Sequence, residues 1–194
     1  MLARFLLRCL PVFLLAIALS ALGYAAAPAK LSTASQLGLL FSVLVLYSAW
    51  MIFRDVFRLN LILLLAVACA AGGILGSLLG PMHSATPNII AAVALVIAAF
   101  SGRVFGIGFV ALSRALWAGS SLYWLGLIVL GRLALGRMLW DLWIGGGFVL
   151  FSGLSASWFA RLRAEALEAA YVQQAGELYF LALNLWLGAR LLTR

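Results

Sequence analysis

The sequence predicts an all-α fold: a polytopic membrane bundle of seven transmembrane helices, or six if the first is removed as a signal sequence. Three observations carry this. Hydrophobic residues make up 66% of the 194 and charged ones 9%, against roughly half and a quarter in soluble domains, and mean hydropathy is +1.18. The apolar runs are unbroken and rich in Leu and Ala, where the strands of a β-barrel would alternate apolar and polar residues. A helix needs about 20 apolar residues to cross the hydrocarbon core, so this length forms a single membrane domain with no room for a soluble one.

The first span covers residues 5–27, with Arg4 and Arg8 at its start and Pro28 and Lys30 after it. Its basic start and the small residues Ala27-Pro28-Ala29 also fit a cleaved secretory signal, but the apolar run is longer than a signal core, and a retained helix is the expectation. The second span, 36–53, ends in the charged turn Arg54-Asp55-Val56-Phe57-Arg58. The third, 59–79, contains Ala70, Ala71, Gly72, Gly73 and Gly76, a series of small residues that lets a neighbouring helix come close. Prolines and small polar residues make Pro81 to Asn88 a loop.

The fourth span is expected over 88–110 with Arg103 well inside it, the fifth over 119–135 with Arg132 inside, and the sixth over 138–158 with Asp141 near its start. Residues 161–177 carry Arg161, Arg163, Glu165, Glu168 and Glu177, and read as an amphipathic interfacial helix. A short last span, 178–192, follows.

The formal charge of +8 arises from 13 basic against 5 acidic residues, which cluster at span ends. There they orient helices and meet anionic headgroups, so the lipid bilayer accounts for the surplus and no nucleic-acid partner is implied. With the N-terminus in the cytoplasm, that side holds Arg4, Arg8, Arg54, Arg58, Arg114, Arg161 and Arg163, and the other holds Lys30, Arg132, Arg137, Arg190 and Arg194. The positive-inside bias therefore favours a cytoplasmic N-terminus. Cys9 and Cys69 lie in apolar runs without paired spacing, which indicates no disulfide, redox pair or metal site.

Few residues are equipped for chemistry. His83 is the only histidine, and an intramembrane hydrolase would have to bring it to Ser152 or Ser155, which lie in a stretch of small residues suited to packing or to bonding back to helix carbonyls. One histidine and scattered carboxylates supply no metal site, and no cofactor is implied. Ionisable groups inside spans cost about 2.5–3.5 kcal/mol on insertion scales and so point to function. Arg103 and Arg132 qualify, the latter with Asp141 as a partner across a short turn. Asn184 in the last span needs an interhelical hydrogen bond or a water-filled path.

Three stretches resemble the Bax inhibitor-1 family of membrane proteins: the glycine-rich helix end and proline turn from Gly72 to Pro87, the sixth-helix segment Phe148 to Ala156, and the last-helix segment Leu178 to Leu187 with Leu178, Tyr179, Asn184 and Leu185 at matching places. The resemblance implies six helices packed around a central seventh. It also implies an ion path gated by one aspartate in each of the last two helices, a pair whose close carboxylates share a proton. Here those positions hold Trp158 and Leu181, so the usual calcium and proton gate is missing.

Three function classes follow. A channel or transporter would line its path with Arg103, Arg132, Asn184 and Asp141. A non-conducting regulator would bind another membrane protein through its small-residue faces and charged connector. An intramembrane enzyme would need His83 beside a serine, and no enzyme is expected.

Overall fold

The computed structural model describes residues 5–28, 32–80, 84–105, 112, 115–123, 126, 137–161 and 168–193, and among these helix is the only regular secondary structure. A π-helical turn, Phe5–Cys9, leads into α1, Leu10–Ala26. Pro11 sits in the first turn of α1, where no intrahelical partner for its missing N–H is needed. Helix α2, Thr33–Ile52, is capped by Ser32, whose Oγ accepts the Ser35 N–H at 3.2 Å.

Helix α3, Phe57–Leu79, stops at Gly80, whose φ of +67° and ψ of −173° are open to glycine and little else. Helix α4 is Thr86–Val104, again with a proline in its first turn, α5 is Arg137–Arg161 and α6 is Glu168–Leu192. Residues 115–123, between α4 and α5, are also helical. The rest of the fifth expected span lies largely outside the described residues, as do Arg132 and His83.

Four helical stretches among the described residues are long and apolar enough to cross a membrane: Leu7–Ala26, Phe57–Leu79, Thr86–Val104 and Leu139–Arg161. Only 22–44% of their most apolar windows is buried, which leaves a broad apolar surface of the kind that lipid covers.

Two elements differ from the sequence reading. Helix α4 ends at Val104, with the Phe105 N–H closing on the Ser101 carbonyl at 2.8 Å, so Arg103 stands exposed in its last turn, and residues 106–110 of the expected span lie outside the described residues. The last span and the second half of the connector form one 25-residue helix, α6. Residues from Glu168 onward therefore do not make a separate interfacial helix. The cause is a buried apolar series, Tyr171, Val172, Ala175, Leu178, Tyr179 and Ala182, that keeps helical spacing through the charged stretch.

The chain forms two compact units, Met1–His83 with Arg163–Tyr179, and Ser84–Leu162 with Phe180–Arg194. In the first unit, α1 and α3 run parallel in close contact. A β-carbon at Gly72 would meet the Ser20 carbonyl, one at Gly23 the Cys69 carbonyl, and one at Gly76 the Tyr24 carbonyl. The small residues of α3 are thus spent on α1. The Tyr24 hydroxyl also donates to the Gly80 carbonyl at the end of α3. In the second unit, Gly102 lets α4 approach the Ala156 carbonyl of α5 in the same way.

Gly72→Ala is expected to force α1 and α3 apart and destabilise the protein by about 1–3 kcal/mol, the usual range for overpacking. Gly38→Ala, at an exposed position with nothing within 4 Å of the added methyl, should leave the thermal midpoint in detergent unchanged or raise it.

Candidate functional site

Helix α6 has the least apolar sequence of the six numbered helices, yet none of its residues from 170 to 191 is exposed. That stretch is about 33 Å of helix, close to the ~30 Å thickness of a hydrocarbon core. Within it lie Gln173, Gln174, Glu177, Asn184 and Arg190, the last only 9% exposed. The outer helices place Leu, Ile, Val and Phe outward while this helix keeps amides and charges enclosed. Such groups are confined to bundle interiors because hydrocarbon cannot solvate them.

In the first unit, three helices surround residues 168–179 of α6, and each supplies a polar contact. From the π-helical turn that leads into α1, the Cys9 thiol donates to Gln174 Oε1 at 3.4 Å, and the Arg8 guanidinium lies 5.0 Å from the centre of the Tyr171 ring. From α2, Met51 Sδ is 4.0 Å from Gln173 Nε2, and the Trp50 ring rests on Gly176, where any β-carbon would collide with it. Gln173 Nε2 donates as well to Glu177 Oε1 at 3.2 Å, one turn along the helix. From α3, the Ala68 carbonyl accepts the Tyr179 hydroxyl at 3.5 Å, and the same hydroxyl lies 3.1 Å from Ser20 Oγ of α1.

The buried stripe of α3 that meets α6 at Ala68 continues back through Leu64 to Asn60, at i, i+4 and i+8 spacing. Asn60 is fully buried, and neither its Oδ1 nor its Nδ2 has a protein hydrogen-bond partner. An unbonded buried polar group costs about 1–3 kcal/mol, so an amide with both ends unbonded demands an explanation.

In the second unit, the Trp186 indole N–H donates to Asn88 Oδ1 at 2.8 Å, which ties α6 to the start of α4. Phe148 of α5 packs its Cδ2 3.2 Å from the position a β-carbon would take on Gly188. The expected interhelical bond of Asn184 is replaced by a local one: its Nδ2 donates to the Phe180 carbonyl of the same helix at 2.7 Å. Asp141 is exposed in the second turn of α5, and Trp158 and Leu181, the positions of the family aspartates, are buried.

The comparisons with known proteins leave the chain by itself. No family model, curated protein or solved structure matches it. Its chemistry therefore has to be judged from its own side chains.

Ser152 and Ser155 donate to the Phe148 and Phe151 carbonyls at 2.8 Å each, the back-bonding that their setting among small residues suggests. Among the described residues no group of three His, Cys, Asp or Glu side chains stands close enough to hold a metal ion. What the arrangement provides instead is a line of neutral amides, a thiol and a few charges along one enclosed helix. The sequence reading passed over Asn60, Gln173 and Gln174, and counted Arg190 only among the charges at span ends. Asn60 and Arg190 had a detectable signal, since each interrupts an apolar run by helical spacing.

Tyr179→Phe should cost about 1 kcal/mol by removing the hydroxyl that joins α6 to Ser20 and Ala68. Ser20→Ala should cost less in that background than alone, and thermal unfolding of the two single variants and the double variant measures the coupling.

Proposed function

We propose that the protein is an integral membrane transport protein of Bax inhibitor-1 type, in a bacterial inner membrane with its N-terminus in the cytoplasm. In this reading it has seven spans and conducts a small ion or solute along α6 without a paired-carboxylate gate. One observation supports it above the others: the helix richest in amides and charges is the one with no exposed residue from 170 to 191. Enclosing polar groups in a bundle is costly, and membrane proteins that do so use them for solute paths and relays.

The path candidates separate on this basis. Arg190 and Asn184 belong to α6, whereas Arg103 and Asp141 are exposed near helix ends, where a long basic side chain reaches headgroups and a carboxylate reaches water. An arginine in the path favours anions over calcium. The buried Trp158 and Leu181 offer neither a proton nor a cation ligand where the family's aspartates would be. The alternative, a regulator that binds another membrane protein through small-residue faces, is the weaker reading because α1 already covers that face of α3.

Reconstitution in liposomes tests the proposal through chloride, proton and calcium flux. Chloride flux is expected, lowered at least ~10-fold in Arg190→Leu, or about 1.4 kcal/mol on the barrier, and near wild type in Arg103→Ala. No flux of any of the three ions, or equal flux in Arg190→Leu, overturns it.

A further inference from the structure

We propose that the first unit binds internal water on Asn60, at the end of the unit where α2 turns into α3. Asn60 stands in the first turn of α3 and Trp50 in the last turn of α2, so both lie about one turn from the connecting residues 53–56, and both are buried, at 0% and 1% exposure. Trp50 rests on Gly176, Gln173 meets Met51, and Gln174 meets Cys9. These contacts bring the same end of α1, α2 and α6 to one level. The π-helical turn before α1 and the helices α2, α3 and α6 thus each bring a polar group to this end of the unit: the Cys9 thiol, the Trp50 indole, the Asn60 amide and two glutamine amides.

The ligand follows from what Asn60 lacks. Its amide presents both an acceptor and a two-proton donor, and neither finds a partner in the protein. A bare cation would suit Oδ1 and be repelled by Nδ2, and an anion would do the reverse. A small neutral molecule that both gives and accepts hydrogen bonds satisfies the two together, and water is small enough for a position with no exposed surface. Bound water needs two to four polar partners. The Gln173 Oε1 atom, at the same end of the unit, is buried without a protein partner as well and is the candidate for a second one. The proposal is independent of conduction, because a protein that transports nothing can hold such water.

X-ray hydroxyl-radical footprinting of the full-length protein in lipid bilayers tests it, because radicals form from bound water in place and oxidise the side chains beside it. Trp158, buried at 4% exposure in the second unit, provides a reference of the same residue type. Trp50 is expected to be oxidised several times faster than Trp158. In Asn60→Leu the Trp50 rate should fall to that of Trp158, with the Trp158 rate unchanged. Equal rates for the two tryptophans in the wild-type protein overturn the proposal, as does an unaltered Trp50 rate in Asn60→Leu. If that variant does not fold, the wild-type comparison alone decides.

Discussion

Hydrocarbon offers no hydrogen bonds, and every polar side chain at membrane depth has to be met by protein or by water that protein shelters. In this chain the need for partners is concentrated on α6, whose two glutamines, glutamate, asparagine and arginine occupy a stretch with no exposed residue. The other described helices can be read as the means of meeting it. They put apolar side chains outward and turn a thiol, an indole and a tyrosine-binding serine toward residues 168–179 within their own unit. Association in lipid gains little from burying one apolar surface against another, so close packing and satisfied polar groups have to hold the bundle together.

Close packing is what the glycines supply. Gly23, Gly72 and Gly76 bring the α1 and α3 backbones so near that a methyl group would strike a carbonyl at each. With the two helices drawn together, Ser20 and Ala68 come within reach of the one hydroxyl of Tyr179, which bonds to both. Helix α6 makes that contact with an aromatic side chain long enough to span the gap. The same logic recurs in the second unit, where Gly102 brings α4 onto α5.

Much of this was legible in the sequence. The starts and ends of α1, α2 and α3 follow from Pro11, Ser32 and Gly80, whose backbone preferences act locally. The small-residue face of α3 and the back-bonded serines of α5 also follow from local chemistry. The limits of α6 did not, because Glu168, Gln173, Gln174 and Glu177 have the composition of a surface helix, and only the tertiary setting encloses them. The place of Arg103 in the last turn of α4 was not legible either, because the apolar pattern runs on past Phe105, where the helix stops. Asn60 falls within the expected third span, close to the charged turn 54–58, and nothing in the sequence marks that its side chain is fully buried. Burial of a polar group is a property of its neighbours, which a single sequence does not state.

The seat of Trp50 on Gly176 has a mechanical consequence. An indole lodged in a one-residue notch acts as a detent on the helix that carries the notch. Sliding α6 by one position would set Ala175 or Glu177 under the ring, and rotating it would bring up a side chain from either flank. Residues 168–179 are therefore indexed to α2 both along and around their axis. Any displacement of this half of α6 has to begin with α2 yielding, which makes α2 the place where motion of the enclosed helix is permitted.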